Sequence, residues 1–307
     1  KKMNKVLLLL LNIIISTNSL SQAVVTDSLK QEGWNKSGKI TFLVNQSAFS
    51  NWTSGGENSI AGALSLDYNL NYLKNGWAWD TKMIGAFGMN KNSDSEFAKK
   101  TDDRIEINSL VGKKFTKELS YSSFLNFKTQ FARGYKYSTN SLGLEEREET
   151  TRFFSPAYIQ LGVGVYWKKT KDFWINMAPV TGRLIIANRK FTSNLIDGAE
   201  YFGISKGNTS RFELGASLSG FYKFELIENV ILEQSLSLYS DYLQNAENID
   251  VDYTVSAFMK INDYLSTTLI MQCRYDDNAI KKVQLREVFG LAITLDLLEI
   301  PSIISKI

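Results

Sequence analysis

The side chains that most often carry chemistry are scarce here. The 307 residues include no histidine and one cysteine, Cys273. Hydrolases that activate a hydroxyl or a water through an imidazole therefore cannot operate in their usual form. One cysteine without histidine does not make a zinc site, and it leaves no partner for an intramolecular disulfide. No phosphate-cradling glycine loop is present, and Gly55–Gly56 reads as a turn. Asp102–Asp103 and Asp276–Asp277–Asn278 offer oxygen ligands of the kind calcium takes, but hydrated loop acids are the plainer reading. The acidic run Glu145, Glu146, Glu148 and Glu149 reads as a solvated loop tip. Among 32 acids no carboxylate pair is singled out for acid–base work. The expectation is a chain with no catalytic residue, no cofactor and no metal.

What the sequence does carry is a repeated element. In 59–72, Ile60, Gly62, Leu64, Leu66, Tyr68, Leu70 and Tyr72 alternate with Ser59, Ala61, Ala63, Ser65, Asp67, Asn69 and Asn71. A period of two places one set on each face of a strand. Fourteen residues is long for a half-buried strand of a soluble domain and suits a tilted crossing of a bilayer. The pattern recurs at 37–49, 77–90, 104–115, 119–133, 157–167, 173–191, 210–224, 230–243, 250–261, 265–275 and 282–296, about twelve strands in all. The phase shifts near Pro179, which predicts a bulge because proline cannot donate to a ladder. Short turns follow the even strands, the first at Asn75–Gly76, a strong hairpin signal. Longer connections follow the odd ones.

An even set of long alternating strands with sorted connections predicts an all-β fold. It is a single antiparallel up-and-down transmembrane β-barrel with short periplasmic turns and longer extracellular loops. Closure leaves no sheet edge unpaired in lipid. Trp77, Trp79, Phe115, Tyr121, Trp167, Trp174, Phe224 and Tyr264 cluster at the short turns as an inner aromatic girdle. Phe49, Trp52, Tyr135, Phe153, Phe191 and Tyr242 lie near the long connections as candidates for an outer one. Cys273 falls on the lipid-facing stripe.

The flanks fit export. Lys1, Lys2 and Lys5 precede the apolar run 6–15, and Ser19 and Ser21 are small residues at cleavage-site spacing, so 1–21 reads as a secretory signal. Segment 22–36 reads as a periplasmic lead-in, 37–296 as the barrel and 297–307 as a tail without assignment. The formal charge of +3 is carried by the lysines of 1–21. A neutral mature chain gives no electrostatic reason to expect nucleic acid.

Strand parity places Asp67, Asp80, Lys82, Arg104, Glu106, Lys114, Lys128, Arg183, Arg189, Arg211, Glu213, Lys223, Glu233, Asp252, Lys260, Arg274 and Arg286 on the inward face. Both signs on neighbouring strands predict a lumen laced with ion pairs and water. The other reading is a narrow channel, since twelve strands fall between filled and open barrels.

The run Asn51, Trp52, Thr53, Ser54, Gly55, Gly56, Glu57, Asn58, Ser59, with Trp34–Asn35, Trp79–Asp80, Lys100–Thr101–Asp102–Asp103 and Ser155–Pro156, resembles the DUF3078 family of exported Bacteroidota proteins of unknown function. The resemblance implies an outer-membrane setting over most of the mature chain and brings no activity. The first expectation is thus a structural or partner subunit of an envelope complex in the cell outer membrane. Its partners would be outer-membrane lipid, the barrel-assembly machinery that inserts it and an envelope protein. The alternative is a narrow channel or transporter for small polar solutes. A lipid-modifying enzyme is disfavoured by the missing histidine.

Overall fold

A computed structural model describes residues 32–50 and 57–297. The strands, in chain order, are β1 Gly33–Ser47, β2 Ser59–Lys74, β3 Trp77–Asn92, β4 Lys99–Lys114, β5 Leu119–Thr129, β6 Gly134–Thr139, β7 Glu145–Thr151, β8 Ala157–Lys168 and β9 Phe173–Ile186. After the one-turn helix α1, Arg189–Thr192, come β10 Glu200–Tyr201, β11 Ile204–Ser205, β12 Ser210–Ile227, β13 Val230–Asp241, β14 Ile249–Lys260, β15 Leu265–Asp276 and β16 Ile280–Asp296. Twelve of them close into one antiparallel barrel in the order β1-β16-β15-β14-β13-β12-β9-β8-β5-β4-β3-β2. β6–β7 and β10–β11 form two small ladders outside it. The calls on 1–31, on Asn51, Trp52, Gly55 and Gly56, and on 298–307 lie outside the described residues.

The wall is inside-out relative to a soluble protein. Side chains from alternate positions point outward and are exposed, among them Ile60, Leu64, Leu66, Met83, Phe87, Leu161, Val163, Phe212, Met271, Phe289 and Leu291. Buried hydrophobics are few and mostly small, as at Ala86, Ala178 and Ala292. An apolar surface that continues around the whole wall far exceeds the patches soluble monomers expose, and it suits a hydrocarbon solvent. Several polar groups that face outward are paired with one another, while Glu287, exposed between Leu285 and Phe289 on β16, is not among them. Trp79 Nε1 donates to Ser109 Oγ at 2.7 Å, Ser109 shares a 3.0 Å bond with Thr81, and the Tyr253 hydroxyl donates to Gln234 at 2.7 Å. In lipid no water would replace these bonds.

The connections sort by end. At one end lie 75–76, 115–118, 169–172, 228–229 and 261–264; at the other lie 48–58, 93–98, 130–156, 187–209, 242–248 and 277–279. We call these the turn end and the loop end. The last, 277–279, is as short as a turn, so the sorting is incomplete at β15–β16. Rings cluster on the outer surface near the turn end: Trp34 lies 5.0 Å from Tyr72 and 5.7 Å from Trp79, Phe115 packs on Tyr121, and Trp167, Phe173, Tyr222 and Phe224 run in series.

The structure departs from the sequence reading at specific points. β1 begins at Gly33, paired with Leu73, so 33–36 belong to the wall and not to a lead-in. The 130–156 connection carries the β6–β7 hairpin, which puts the acidic run on β7 and not at a loop tip. β9 stops at Ile186 because Asn188 caps α1, accepting a 2.9 Å bond from the Lys190 N–H; Arg189 therefore leaves the inner face. Trp174 pairs opposite Lys168, and its ring stacks on Phe221 inside the barrel, so it is no girdle residue. Phe191 stacks on Tyr201 in the cap over the loop end rather than in an outer girdle. The bulge at Pro179 is present: Gly215 pairs with Thr181 and Ser217 with Ala178, leaving Pro179 and Val180 opposite one residue. Gly164 lies against this bulge, where an added Cβ would fall 1.9 Å from the Met177 carbonyl oxygen.

The closing seam is short. β1 pairs with β16 from Lys39↔Asp296 to Val44↔Leu291, while β15 pairs with β16 along most of its length. Among the described residues, 280–290 of β16 has a strand partner on one side only.

Candidate functional site: the charged lumen

Strand register puts Asp67, Asp80, Lys82, Arg104, Glu106, Lys128, Arg183, Arg211, Glu213, Arg274 and Arg286 on the inward face, with Lys114, Lys223, Glu233, Asp252 and Lys260. In the loop-end half they assemble into three groups. Glu213, with no exposed surface, sits between Arg183 Nε at 2.5 Å and Arg211 Nε at 3.1 Å. Arg183 extends its other arm to Asp250 at 2.6 Å, and its guanidinium lies 3.9 Å above the Tyr239 ring. Arg211 also reaches Asp241 at 3.5 Å and Asn278 Oδ1 at 3.1 Å.

The second group gathers around Asp252. Gln272 donates to it at 2.8 Å, Arg274 at 2.9 Å, and Lys128 lies 3.8 Å away. Lys128 also faces Glu106 at 3.6 Å, and Glu106 accepts from Asn108 at 2.8 Å. The third group is Arg286 and Asp102, 2.6 Å apart. Arg104 faces inward on β4 and makes no ion pair among the described residues.

Two of these contacts cross the barrel. β8, β9, β12 and β13 separate β5, which carries Lys128, from β14, which carries Asp252; β1, β2 and β3 separate β16 from β4. Neighbouring strands are about 4.8 Å apart, so side chains on strands this far separated along the wall meet only through the lumen. The sequence shows the charges but not these pairings, which depend on closure and strand tilt.

The turn-end half carries three further pairs, one of which, Lys168 of β8 with Asp80 of β3, joins strands that are not neighbours. Lys82 lies 3.6 Å from Asp67, Lys223 2.9 Å from Glu233, and Lys168 2.7 Å from Asp80. Lys39 faces the Phe258 ring at 4.6 Å.

The candidate calcium ligands divide. Asp102 points inward to Arg286, whereas Asp103 accepts from the Phe131 and Ala132 N–H groups at 2.6 and 2.9 Å and from Lys100 at 2.6 Å. Adjacent residues on opposite faces cannot share an ion, and Asp103 instead pins the chain where β5 ends. Asp276 and Asp277 do approach Asp250, all three ligand atoms lying within 4.8 Å of one another. Each is already engaged: Asp276 by the Asn278 and Ala279 N–H groups, Asp277 by Asn248, and Asp250 by Arg183.

The described residues of the signature stretches are structural in the same way. Asn58 accepts from the Phe49 N–H at 2.5 Å, and Glu57 accepts from Asp94 N and Asn92, which ties 48–58 to 93–98. Ser59 opens β2, opposite Ser47. Ser155, almost fully buried, receives Gln130 and Tyr201 at its carbonyl and the Asn188 N–H at its hydroxyl.

The model of the family DUF3078, described as a protein of unknown function, matches residues 44–135. No curated protein matches. Solved structures similar to the chain include the translocator domain of the autotransporter NalP from Neisseria meningitidis, 9% identical, covering 88% of this chain and 89% of that one with a TM-score of 0.40. The β domain of the Bordetella autotransporter BrkA is 9% identical, covering 85% and 98% with a TM-score of 0.32. The NanC porin is 10% identical, covering 84% and 97% with a TM-score of 0.35.

Proposed function

We propose that this chain is an outer-membrane barrel without enzymatic chemistry, closed across its loop-end half, that serves as a structural or partner subunit of an envelope complex. The observation that carries the closure is the pair of contacts through the lumen, Lys128 to Asp252 and Arg286 to Asp102. The continuous apolar outer wall supports a membrane setting, with the short turns in the periplasm and the long connections outside. Such a chain would need the barrel-assembly machinery, since no described helix is long and apolar enough to cross a membrane. The long connections, capped by β6–β7 and α1, are the surface offered to an envelope partner.

A narrow channel for small polar solutes is the second reading. It is favoured by the small side chains of the mid-lumen, where Ala63 faces Gly88 and Ser217, Ser219, Ser235 and Ser237 line one wall. Planar-bilayer recording of the purified protein separates the two. The closed-barrel reading expects silence together with a stable co-purifying envelope protein. Discrete open-channel steps in the unaltered protein, abolished by bulky replacements at Ala63 or Gly88, would replace it with the channel.

A further inference from the structure

On the outer surface at the loop end, one carboxylate is surrounded by three cations. Glu149 accepts from Arg152 Nε and Lys190 Nζ, each at 2.6 Å, and Arg133 Nε lies 3.9 Å away. Glu149 is largely covered, while the Arg133 and Lys190 side chains are 65% and 53% exposed. The ions already present cannot neutralise this group: three positive charges face one negative. Elsewhere on the β6–β7 hairpin Glu145 is taken up by Lys99 and Glu146 by Asn140, while Glu148, the neighbour of Glu149, is exposed and points to the other face of the hairpin, opposite Lys136.

The position of the cluster matters as much as its charge. Phe131 is two residues from Arg133, and its ring lies over outward-facing Gly85 of β3. Phe153 and Phe154 follow Arg152 directly. Phe154 packs on Phe127 of the outer wall at 5.6 Å, and Phe153 on Phe154 at 4.8 Å. Phe131, Phe153 and Phe154 are all exposed. Exposed rings continuous with a lipid-facing wall mark the level where hydrocarbon gives way to headgroups. Cations set immediately above that level meet the phosphates of the lipid.

We propose that Arg133, Arg152 and Lys190 bind the phosphate of an outer-leaflet lipid, with the chains of that lipid lying on Phe131, Phe153 and Phe154. Arg152 is held by Glu149 and positions the group; Arg133 and Lys190 turn their exposed ends to the phosphate. The surplus charge is what the lipid supplies, and the apolar patch is what distinguishes it from free phosphate. This inference rests on the membrane reading above.

The test uses the full chain in detergent micelles and in phospholipid nanodiscs, with diphosphorylated lipid A, the same lipid stripped of phosphate, and inorganic phosphate as probes. Native mass spectrometry counts retained lipid. The expected result is retention of the phosphorylated lipid, about thirtyfold weaker in the Arg133→Gln/Lys190→Gln double variant and preserved in Arg133→Lys. Equal retention of both lipids, an unaffected double variant, or inorganic phosphate binding as tightly as the lipid would each overturn it. Flotation with vesicles reads the membrane setting separately. A chain that floats but does not discriminate between the lipids defeats this inference alone, and one that does not float defeats the membrane reading as well.

Discussion

Asp102→Asn is the sharpest probe of the closed lumen. It keeps the shape of the side chain and removes the charge that meets Arg286 through the barrel at 2.6 Å. Exposed ion pairs are worth about 1 kcal/mol or less, and breaking buried ones costs roughly 3–5 kcal/mol. The Arg286 and Asp102 side chains are 28% and 20% exposed, between those limits, so the substitution should weaken the bridge by about 2 kcal/mol. Arg286 also lies in the part of β16 that, among the described residues, has no strand partner on its β1 side, so the bridge ties that segment of the wall to β4. Releasing about 2 kcal/mol shifts a closed–open equilibrium by roughly thirtyfold. The assay is single-channel recording of the reconstituted barrel, with heat-modifiable mobility on gels confirming that it is folded. Asp67→Asn is the control: its 3.6 Å contact with Lys82 joins adjacent strands and does not span the lumen. Open-state occupancy should rise about thirtyfold in Asp102→Asn and stay at the unaltered level in Asp67→Asn. A folded Asp102→Asn barrel as silent as the parent, or equal opening by the control, would refute the idea that this bridge closes the lumen.

Three further outcomes are expected. Gly164→Ala places a Cβ 1.9 Å from the Met177 carbonyl oxygen at the Pro179 bulge, so the backbone must move, at a cost of about 3 kcal/mol or more; Gly220→Ala, with its nearest atom at 3.6 Å, should stay within about 0.5 kcal/mol, and urea titration of the folded band reads both. Asp103→Ala strips the acceptor from the Phe131 and Ala132 N–H groups, costs about 1–3 kcal/mol and should make 130–134 susceptible to added protease while leaving the barrel folded. The Glu149 carboxyl is held down at about 2 by hydrogen bonds from Arg152 and Lys190; a depressed pKa stabilises above the unfolded value near 4.3 and is lost as pH falls through about 2, so proteolysis of the β6–β7 cap should rise between about pH 4 and pH 2, and Glu149→Gln should flatten that profile.

How much of this is legible in the sequence depends on what each feature answers to. Strands are legible because lipid on one side and lumen on the other enforce a period of two, as in 59–72, and this alone gives twelve crossings. The β6–β7 hairpin is hidden because neither of its faces meets lipid; Glu145–Thr151 has no apolar alternation and reads as loop. Arg189 is misplaced by the same rule in reverse, since parity carried past Ile186 ignores the Asn188 cap. Trp174 shows that a ring near a turn can face either way, and only the pairing with Lys168 decides. The lumen charges are visible one at a time, but Lys128 and Asp252 become partners only when closure brings β5 and β14 face to face. Nothing in sequence spacing encodes that.

The choice of cation varies with depth in the barrel. Five of the inward-facing arginines, Arg104, Arg183, Arg211, Arg274 and Arg286, lie in the loop-end half, and the remaining four of the chain belong to the loop-end connections. The inward cations of the turn-end half are all lysines: Lys39, Lys82, Lys114, Lys168, Lys223 and Lys260. A guanidinium makes two fixed bonds to different carboxylates, as Arg183 does to Glu213 and Asp250, and gives up its hydration more readily than an ammonium. It is the cation suited to a dry, rigid crossbar. An ammonium on a flexible stem is strongly hydrated and suits a wet cavity wall, as with Lys82 and Lys260, each with much of its side chain exposed. If charge balance alone governed the lumen, either cation would serve at either depth. The segregation is one-sided: inward arginine is confined to the loop-end half, whereas lysine serves at both depths, Lys128 reaching Asp252 in one half and Lys168 reaching Asp80 in the other.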